Sequence, residues 1–478
     1  MNFASLEFAV FVPIVFVLYW FVLKGRTRAQ NFMIIIASYI FYGWWDYRFL
    51  GLIALSSLLD FLIGIAMDNA DDERRRKLWL TLSIVVNLSI LAFFKYYNFF
   101  LESLEDAFTL FGHPITTHRL DIILPVGISF YTLQTMSYSL DVYHGKVKPT
   151  RDPIAFFSFV SFFPQLVAGP IERASNFLPQ FLRKRVFSHD AAVDGMRQIL
   201  WGLFKKVVVA DNIGLYNMEV MSNLDEHNGS TYLVFMLFQS ITFYCDFSGY
   251  SDIAIGTGRL FGFNLMRNFH FPFYSRNIAE FWQRWHISLV TWIRVYIVLA
   301  LKKDNPYSKY FILTLVFFLT GLWHGARWGF VVWGLLQAVF MVILYISPKR
   351  SRDKEYVAQG SFWPNWLEIS QMLRTNLVFI YTLSFVFLAS LPMTEILKFQ
   401  LKAVMEGFTT VPVLPSKVPI FFSLVMLVVE WFQRGREHAL DFSAYMPPTW
   451  LRWVIYFVLF FIVLFFGTHA MAFIYFQF

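Results

Sequence analysis

The 478-residue chain is 57% hydrophobic, 20% aromatic and only 15% charged, with a mean hydropathy of +0.52; a typical globular protein has about 45–50% apolar and about 25% charged residues. So few charges exclude a string of soluble domains, a disordered chain and a coiled coil, and a single cysteine, Cys245, excludes a disulfide scaffold and a thiolate metal cluster. The net charge of +8 resides in short basic clusters between apolar runs (Lys24, Arg26 and Arg28; Arg183, Lys184 and Arg185; Lys349, Arg350, Arg352 and Lys354), which reads as cytoplasmic loops and argues against nucleic acid as a partner.

A bilayer core of about 30 Å takes about 20 apolar residues in a helix, and on that measure the sequence predicts an all-α, polytopic membrane protein with about eleven spans. In chain order they are Leu6–Leu23, Ala29–Trp45, Phe49–Met67, Leu78–Phe94, Ile122–Leu140, Ile154–Ile171, Gly229–Cys245, Tyr310–Leu322, Trp328–Ser347, Thr375–Leu391 and Trp453–Phe476. Met196–Val209, Ile278–Leu301 and Val418–Phe432 are shorter or carry charges and read as tilted, interfacial or re-entrant helices. The first run lacks a basic leader and stops at Lys24, so it is expected to be a retained span with its N-terminus outside. Asp68–Lys77, Ser351–Ser370 and Glu406–Pro419 read as loops, and with no repeat or linker the expectation is one integral-membrane domain over residues 1–478.

The informative region is the middle, where polar residues are embedded in aromatic and apolar sequence. Polar and ionisable groups inside a membrane are costly, so they point to function by default. Four stretches qualify: FPQLVAGP (Phe163–Pro170), DFSGYSDIAIGTGR (Asp246–Arg259), SRNIAEFWQRWHISLVTW (Ser275–Trp292) and GLWHG (Gly321–Gly325). Read as one helix, the third places Arg276, Glu280 and Arg284 on one face at i, i+4 and i+8, with Trp282 one turn before His286. That face serves either as a buried ion-pair rung or as a membrane-embedded polar pocket. Gly249, Gly256, Gly258 and Gly262 read as close helix packing.

Of the ten histidines, His113, His118, His189, His227 and His438 read as solvated and His144 and His270 as interfacial, leaving His286, His324 and His469. His324 stands out because Gly321, Trp323 and Gly325 flank it, and glycines let a substrate approach the backbone. A neutral imidazole accepts a hydroxyl proton near pH 7, which makes His324 a candidate general base. Chemistry alone names no substrate.

Four blocks carry a resemblance: FFPQLVAGPIERASNFLPQF (Phe162–Phe181), YCDFSGYSDIAIGTGRLFGF (Tyr244–Phe263), NFHFPFYSRNIAEFWQRWHISLVTW (Asn268–Trp292) and GLWHGARWGFVVWG (Gly321–Gly334). In this order they resemble the membrane-bound O-acyltransferase family, and within it the bacterial branch that includes the membrane subunit of alginate O-acetyltransferase. The resemblance implies acyl transfer from a thioester donor to a hydroxyl through a central tunnel across the membrane. It places the general base on His324 and the second functional position on His286. Trp323, Trp285, Trp282, Arg276, Asn277, Glu280, Arg284, Asp246, Tyr250 and Gln165 fall in the same blocks as tunnel-lining or supporting residues.

It further implies no bound cofactor and no metal. Acetyl-CoA or another acyl thioester is the expected donor on the cytoplasmic side, and the expected partners are extracytoplasmic acyltransferase or polysaccharide-modifying proteins. The expected location is the lipid bilayer of a bacterial inner membrane, and the expected product an O-acetylated exported polysaccharide such as alginate, with peptidoglycan or teichoic acid as alternatives. Cys245 reads as a buried bystander rather than an acyl carrier. The chain departs from the branch after His286, where an Arg-Asp-Tyr step becomes Arg294-Val295-Tyr296 and a glycine-rich loop becomes ALKKDNPYSKY (Ala300–Tyr310); a changed partner or polymer is the simplest account. A transporter whose histidines line a solute path is the alternative from another class, but the paired interrupted helices of two similar halves are not evident.

Overall fold

The computed structural model describes residues 1–167, 169–301, 306–346, 355–443, 445–467 and 471–473. His469, the basic cluster Lys349, Arg350, Arg352 and Lys354, and Lys302 to Asn305 of the divergent loop lie outside these residues. Every described element is helical, with no strand among them. By length and composition, four segments among the described residues are apolar enough to cross a membrane: Thr27–Asp68, Glu73–Leu110, Trp328–Ile346 and Thr449–Phe466; a fifth arises if Ile278–Arg284 and Ile287–Leu301, bent by 104°, form one span. Leu6–Val22, Pro153–Leu166 and Ser308–His324 are shorter apolar helices, while the runs from Gly229 and Thr375 lie in the longer helices Gly229–Leu260 and Trp366–Phe387.

The chain divides into two compact units. The first, Glu7–Ser188 with Phe261–Met266 and Met1, contains α1 (Leu6–Val17), α2 (Thr27–Asp46), α3 (Leu50–Asp68), α4 (Glu73–Leu91), α5 (Tyr97–Leu110), α6 (Ile128–Tyr143), α7 (Pro153–Ser161), α8 (Phe163–Leu166) and α9 (Ala174–Leu182). Four sequence expectations are corrected here. The run Ile122–Leu140 is helical only from Ile128, because Gly127 takes a left-handed φ of 75° at the N-cap. The run Ile154–Ile171 is not continuous: Phe162 leaves helical geometry at φ −51°, ψ 106°, and Pro164 sits in the first turn of the short α8. Asp68–Lys77 is not all loop, since Asp72 caps α4 by accepting a hydrogen bond from Arg75 N at 2.6 Å. Arg185, expected in a basic loop, is buried; its guanidinium donates to Asn31 Oδ1 at 2.7 Å and lies 4.9 Å from the Phe263 ring.

The second unit, Asn2–Leu6, His189–Leu260 and Arg267–Phe478, contains α10 (His189–Leu203), α11 (Asp211–Ser222), α12 (Gly229–Leu260), α13 (Ile278–Arg284), α14 (Ile287–Ile293), α15 (Leu299–Leu301), α16 (Pro306–His324), α17 (Trp328–Ile346), α18 (Trp366–Phe387), α19 (Met393–Glu406), α20 (Lys417–Phe432) and α21 (Thr449–Phe466). α12 is its axis. α10 packs on α12 through paired glycines, as expected for Gly249 and Gly256: a Cβ on Gly202 would lie 2.7 Å from Gly249 O, and one on Gly195 2.7 Å from Gly256 O. The π-helical turn Phe204–Ala210, which follows α10, aims two consecutive lysines at α12. Lys205 pairs with Asp252 at 2.7 Å, while Lys206 meets Asp246 at 2.6 Å and Asp211 at 2.8 Å. His438, expected in solvent, is instead buried, with Nε2 2.9 Å from Asp194 Oδ1; its charged, loop-like sequence hides the tertiary partner.

Candidate active site

The long polar helix expected over Ser275–Trp292 is two helices. Asn277 caps α13, its Oδ1 accepting from Glu280 N at 2.9 Å. Trp285 turns extended, and His286 takes the left-handed conformation, φ 45° and ψ 51°, at the N-cap of α14. For a residue with a Cβ this costs about 1–2 kcal/mol, and such strain persists where the surroundings impose it, commonly at functional sites. The break removes Trp282 from the turn below His286 on one helix, a correction to the continuous-helix reading.

The break instead turns the His286 ring toward the end of α16. Its centroid lies 5.9 Å from that of His324 and 5.6 Å from Trp323, with the Phe247 ring of α12 edge-on at 4.8 Å. His286 is fully buried, and neither ring nitrogen has a hydrogen-bond partner among the described residues. A buried polar group left unsatisfied costs about 1–3 kcal/mol. One residue thus combines backbone strain with two orphaned polar atoms, which is the condition of a group kept for a ligand.

His324 is the last residue of α16 and is also buried. Its ring meets Trp323 at 4.9 Å and Trp333 of α17 at 5.2 Å, both near perpendicular. The flanking glycines do not open a path for substrate, contrary to expectation. A Cβ on Gly321 would strike Phe330 O, and one on Gly325 would strike the Phe330 ring; they let α16 and α17 close and so set the position of His324.

Trp282 lies in the same aromatic cluster, 5.8 Å from Trp333, and its Nε1 donates to Gln337 Oε1 at 3.2 Å. Gln337 is fully buried and donates to Thr382 Oγ1 at 2.7 Å. Trp285 belongs to an aromatic stack with Phe243 and Phe281, at 5.7 and 5.3 Å.

Arg276, Glu280 and Arg284 do come together. Arg276 Nε lies 2.9 Å from Glu280 Oε2, and Arg284 Nη2 lies 3.1 Å from Glu280 Oε1. Arg284 also donates to the carbonyls of Glu355 and His270, at 2.8 and 3.2 Å. All three side chains are buried, so the charges brace α13 against the adjoining segments.

Asp246 faces Lys206 rather than the histidines, beside a cavity of about 280 Å³ that Asn217 and Thr242 also line. Tyr250 donates to Asn2 Oδ1 at 2.6 Å and packs on Phe473 at 4.3 Å. Gln165 belongs to the first unit, where its amide donates to Gln134 Oε1 at 2.8 Å. Cys245 is buried, with Sγ 3.2 Å from Met426 Sδ.

Sequence reasoning missed Trp333 and Gln337. Trp333 falls inside the GLWHGARWGFVVWG block, four residues before Gln337, which is the polar interruption of an apolar helix; that interruption was the available signal.

The features together define a helical membrane protein whose buried polar centre is built on two histidines facing across a helix break. Residues 147–384 match the model of MBOAT, the membrane-bound O-acyltransferase family. Among curated proteins, the chain is 39% identical to the probable alginate O-acetylase AlgI of Azotobacter vinelandii over 73% of its own length and 70% of that protein's. It is 38% identical to the probable alginate O-acetylase AlgI of Pseudomonas aeruginosa, over 70% and 64% of the two lengths. To the peptidoglycan O-acetyltransferase of Helicobacter pylori it is 34% identical, over 70% and 68%. The chain belongs to the membrane-bound O-acyltransferase family and is an O-acyltransferase.

Proposed function

We propose that the protein takes an acetyl group from a cytoplasmic thioester, acetyl-CoA, and moves it through the membrane for O-acetylation of an exported polysaccharide such as alginate. The observation that carries this reading is the buried pair His286 and His324, with ring centroids 5.9 Å apart and neither His286 nitrogen partnered among the described residues. His324 is the general base. Its imidazole takes the proton of the acceptor hydroxyl as the oxygen attacks the thioester carbonyl, and the imidazolium returns that proton to the departing thiolate. His286 shapes the reacting end of the tunnel, where a ring N–H is placed to hydrogen-bond the oxyanion of the tetrahedral intermediate. The aromatic walls of Trp282, Trp323 and Trp333 exclude water that would hydrolyse the thioester.

In this reading the 478 residues form one acyltransferase domain with about eleven spans, several of them short or broken, around a central tunnel in a bacterial inner membrane. No cofactor is bound, and extracytoplasmic acyltransferase or polysaccharide-modifying proteins complete delivery. The peptidoglycan O-acetyltransferase relative supports a second acceptor, the peptidoglycan glycan.

The test compares cells making the wild type or His324→Ala at matched membrane levels, with base-labile acetyl ester measured on purified exported polysaccharide and on peptidoglycan. Ester lost only in the variant identifies the acceptor and supports the base. Ester unchanged in both polymers overturns the reading, and solute flux in proteoliposomes lacking any acyl donor would favour transport.

A further inference from the structure

We propose that Asn268 is the positioning residue that imposes the left-handed turn at His286 and so aims the imidazole at His324. This rests on the reading of His286 given above. Asn268 lies in the segment between α12 and α13, is fully buried, and has its side chain tied at both ends. Its Nδ2 donates to Ser251 Oγ of α12 at 3.0 Å, and its Oδ1 accepts from Ser288 Oγ of α14 at 2.5 Å. Its backbone carbonyl accepts from Ile287 N at 2.8 Å, and two residues on, His270 N donates to Arg284 O at 2.9 Å. The segment Asn268–His270 therefore grips the chain on both sides of His286: residue 284 before the break and residues 287 and 288 after it.

The grip has a fixed reference. Ser251 and Phe247 are one turn apart on α12, and Phe247 is the ring that stands edge-on to His286 at 4.8 Å. One helix face thus sets both the ring of His286, through Phe247, and its backbone, through Ser251 and Asn268. The side chain required must give a hydrogen bond at one end and take one at the other while uncharged, since a charge there would be buried without a counter-ion. Asparagine meets this at the length available. A strained turn persists only where its surroundings over-determine it, and the hydrogen bonds of Asn268 and its neighbour His270 are those surroundings.

Asn268→Ala, Ser251→Ala and Ser288→Ala in the purified full-length protein test the assignment, with acetyl-CoA as donor probe, an alginate oligosaccharide as the hydroxyl acceptor and thiol release as the rate. At matched folded protein, Asn268→Ala is expected to lower kcat by about 10- to 100-fold, the scale of a misplaced reacting group, with the acetyl-CoA KM within about two-fold. The serine variants, each losing one hydrogen bond, are expected to lie between and keep the test open if Asn268→Ala folds poorly. In a double-mutant cycle with His286→Ala, a positioning residue adds no further loss, whereas a merely structural one adds its full effect.

Histidine ring-nitrogen NMR supplies the second readout: the His286 resonances are expected to shift in Asn268→Ala, or in Ser288→Ala, with the His324 resonances kept. Full additivity, or unchanged His286 resonances, overturns the proposal. A wild type that releases no thiol sinks the acetyl-CoA reading instead, and the histidine spectrum then decides the positioning claim alone.

Discussion

Gly321 and Gly334 face each other across α16 and α17 at backbone distance: a Cβ on Gly321 would lie 3.4 Å from Gly334 Cα, and one on Gly334 would lie 3.3 Å from Gly321 Cα. This contact stands one turn before His324, and beyond it the Trp333 side chain closes on the imidazole. Glycine is required here for approach rather than for backbone freedom.

Gly321→Val therefore forces the two helices apart, because its side chain meets the Phe330 carbonyl rather than a movable group. Overpacking of this kind costs about 1–3 kcal/mol. The expected outcome is a lower melting temperature of the detergent-purified protein together with reduced acyl transfer. Unchanged melting and activity would show that the α16–α17 contact does not set the histidine.

The buried ladder of Arg276, Glu280 and Arg284 predicts a different phenotype. Glu280→Gln leaves two buried guanidinium groups facing a neutral amide, and breaking a buried pair costs about 3–5 kcal/mol. Folded yield by size-exclusion chromatography is expected to fall, with specific activity kept in the fraction that folds. Normal yield with lost activity would move Glu280 from the brace into the reacting site.

Lys206→Met removes the cation shared by Asp211 and Asp246 and leaves two carboxylates buried. A loss of about 3–5 kcal/mol is expected in denaturant unfolding. Adding Asp211→Asn and Asp246→Asn to this variant is expected to recover most of it, because the uncompensated charge is then gone. No recovery would mean that Lys206 contributes through packing alone.

Trp282→Phe keeps an aromatic ring, though a smaller one than the indole, and removes the N–H that Gln337 accepts, stranding a buried amide oxygen. An unsatisfied buried acceptor costs about 1–3 kcal/mol, so thermal unfolding is expected at a lower temperature. In a Gln337→Leu background, where no acceptor remains and the bond from Gln337 to Thr382 is already absent, Trp282→Phe is expected to cost less, and an equal loss in both backgrounds would rule out the hydrogen bond as the cause.

Composition and the four polar blocks were sufficient to determine an all-helical membrane protein and its family, and they single out the two histidines that the fold brings together, because charge content, apolar run length and motif order are properties of the chain itself. Gly249 and Gly256 of α12 were legible for the same reason, as repeated small residues on an apolar helix, whereas their partners on α10, Gly195 and Gly202, emerge only from the packing. The helix break at His286 was not, since its φ of 45° follows from hydrogen bonds to Asn268 and His270, residues that a local pattern does not connect to it. Nor was the partition of the polar residues: Arg276, Glu280 and Arg284 satisfy one another, Asp246 answers Lys206, and Gln165 answers Gln134. Residue type states what a side chain is able to bind. Only the tertiary structure decides which partner it meets, because a buried polar group is satisfied by whatever packing brings within about 3 Å, and at His286 packing brings no partner to either nitrogen from among the described residues.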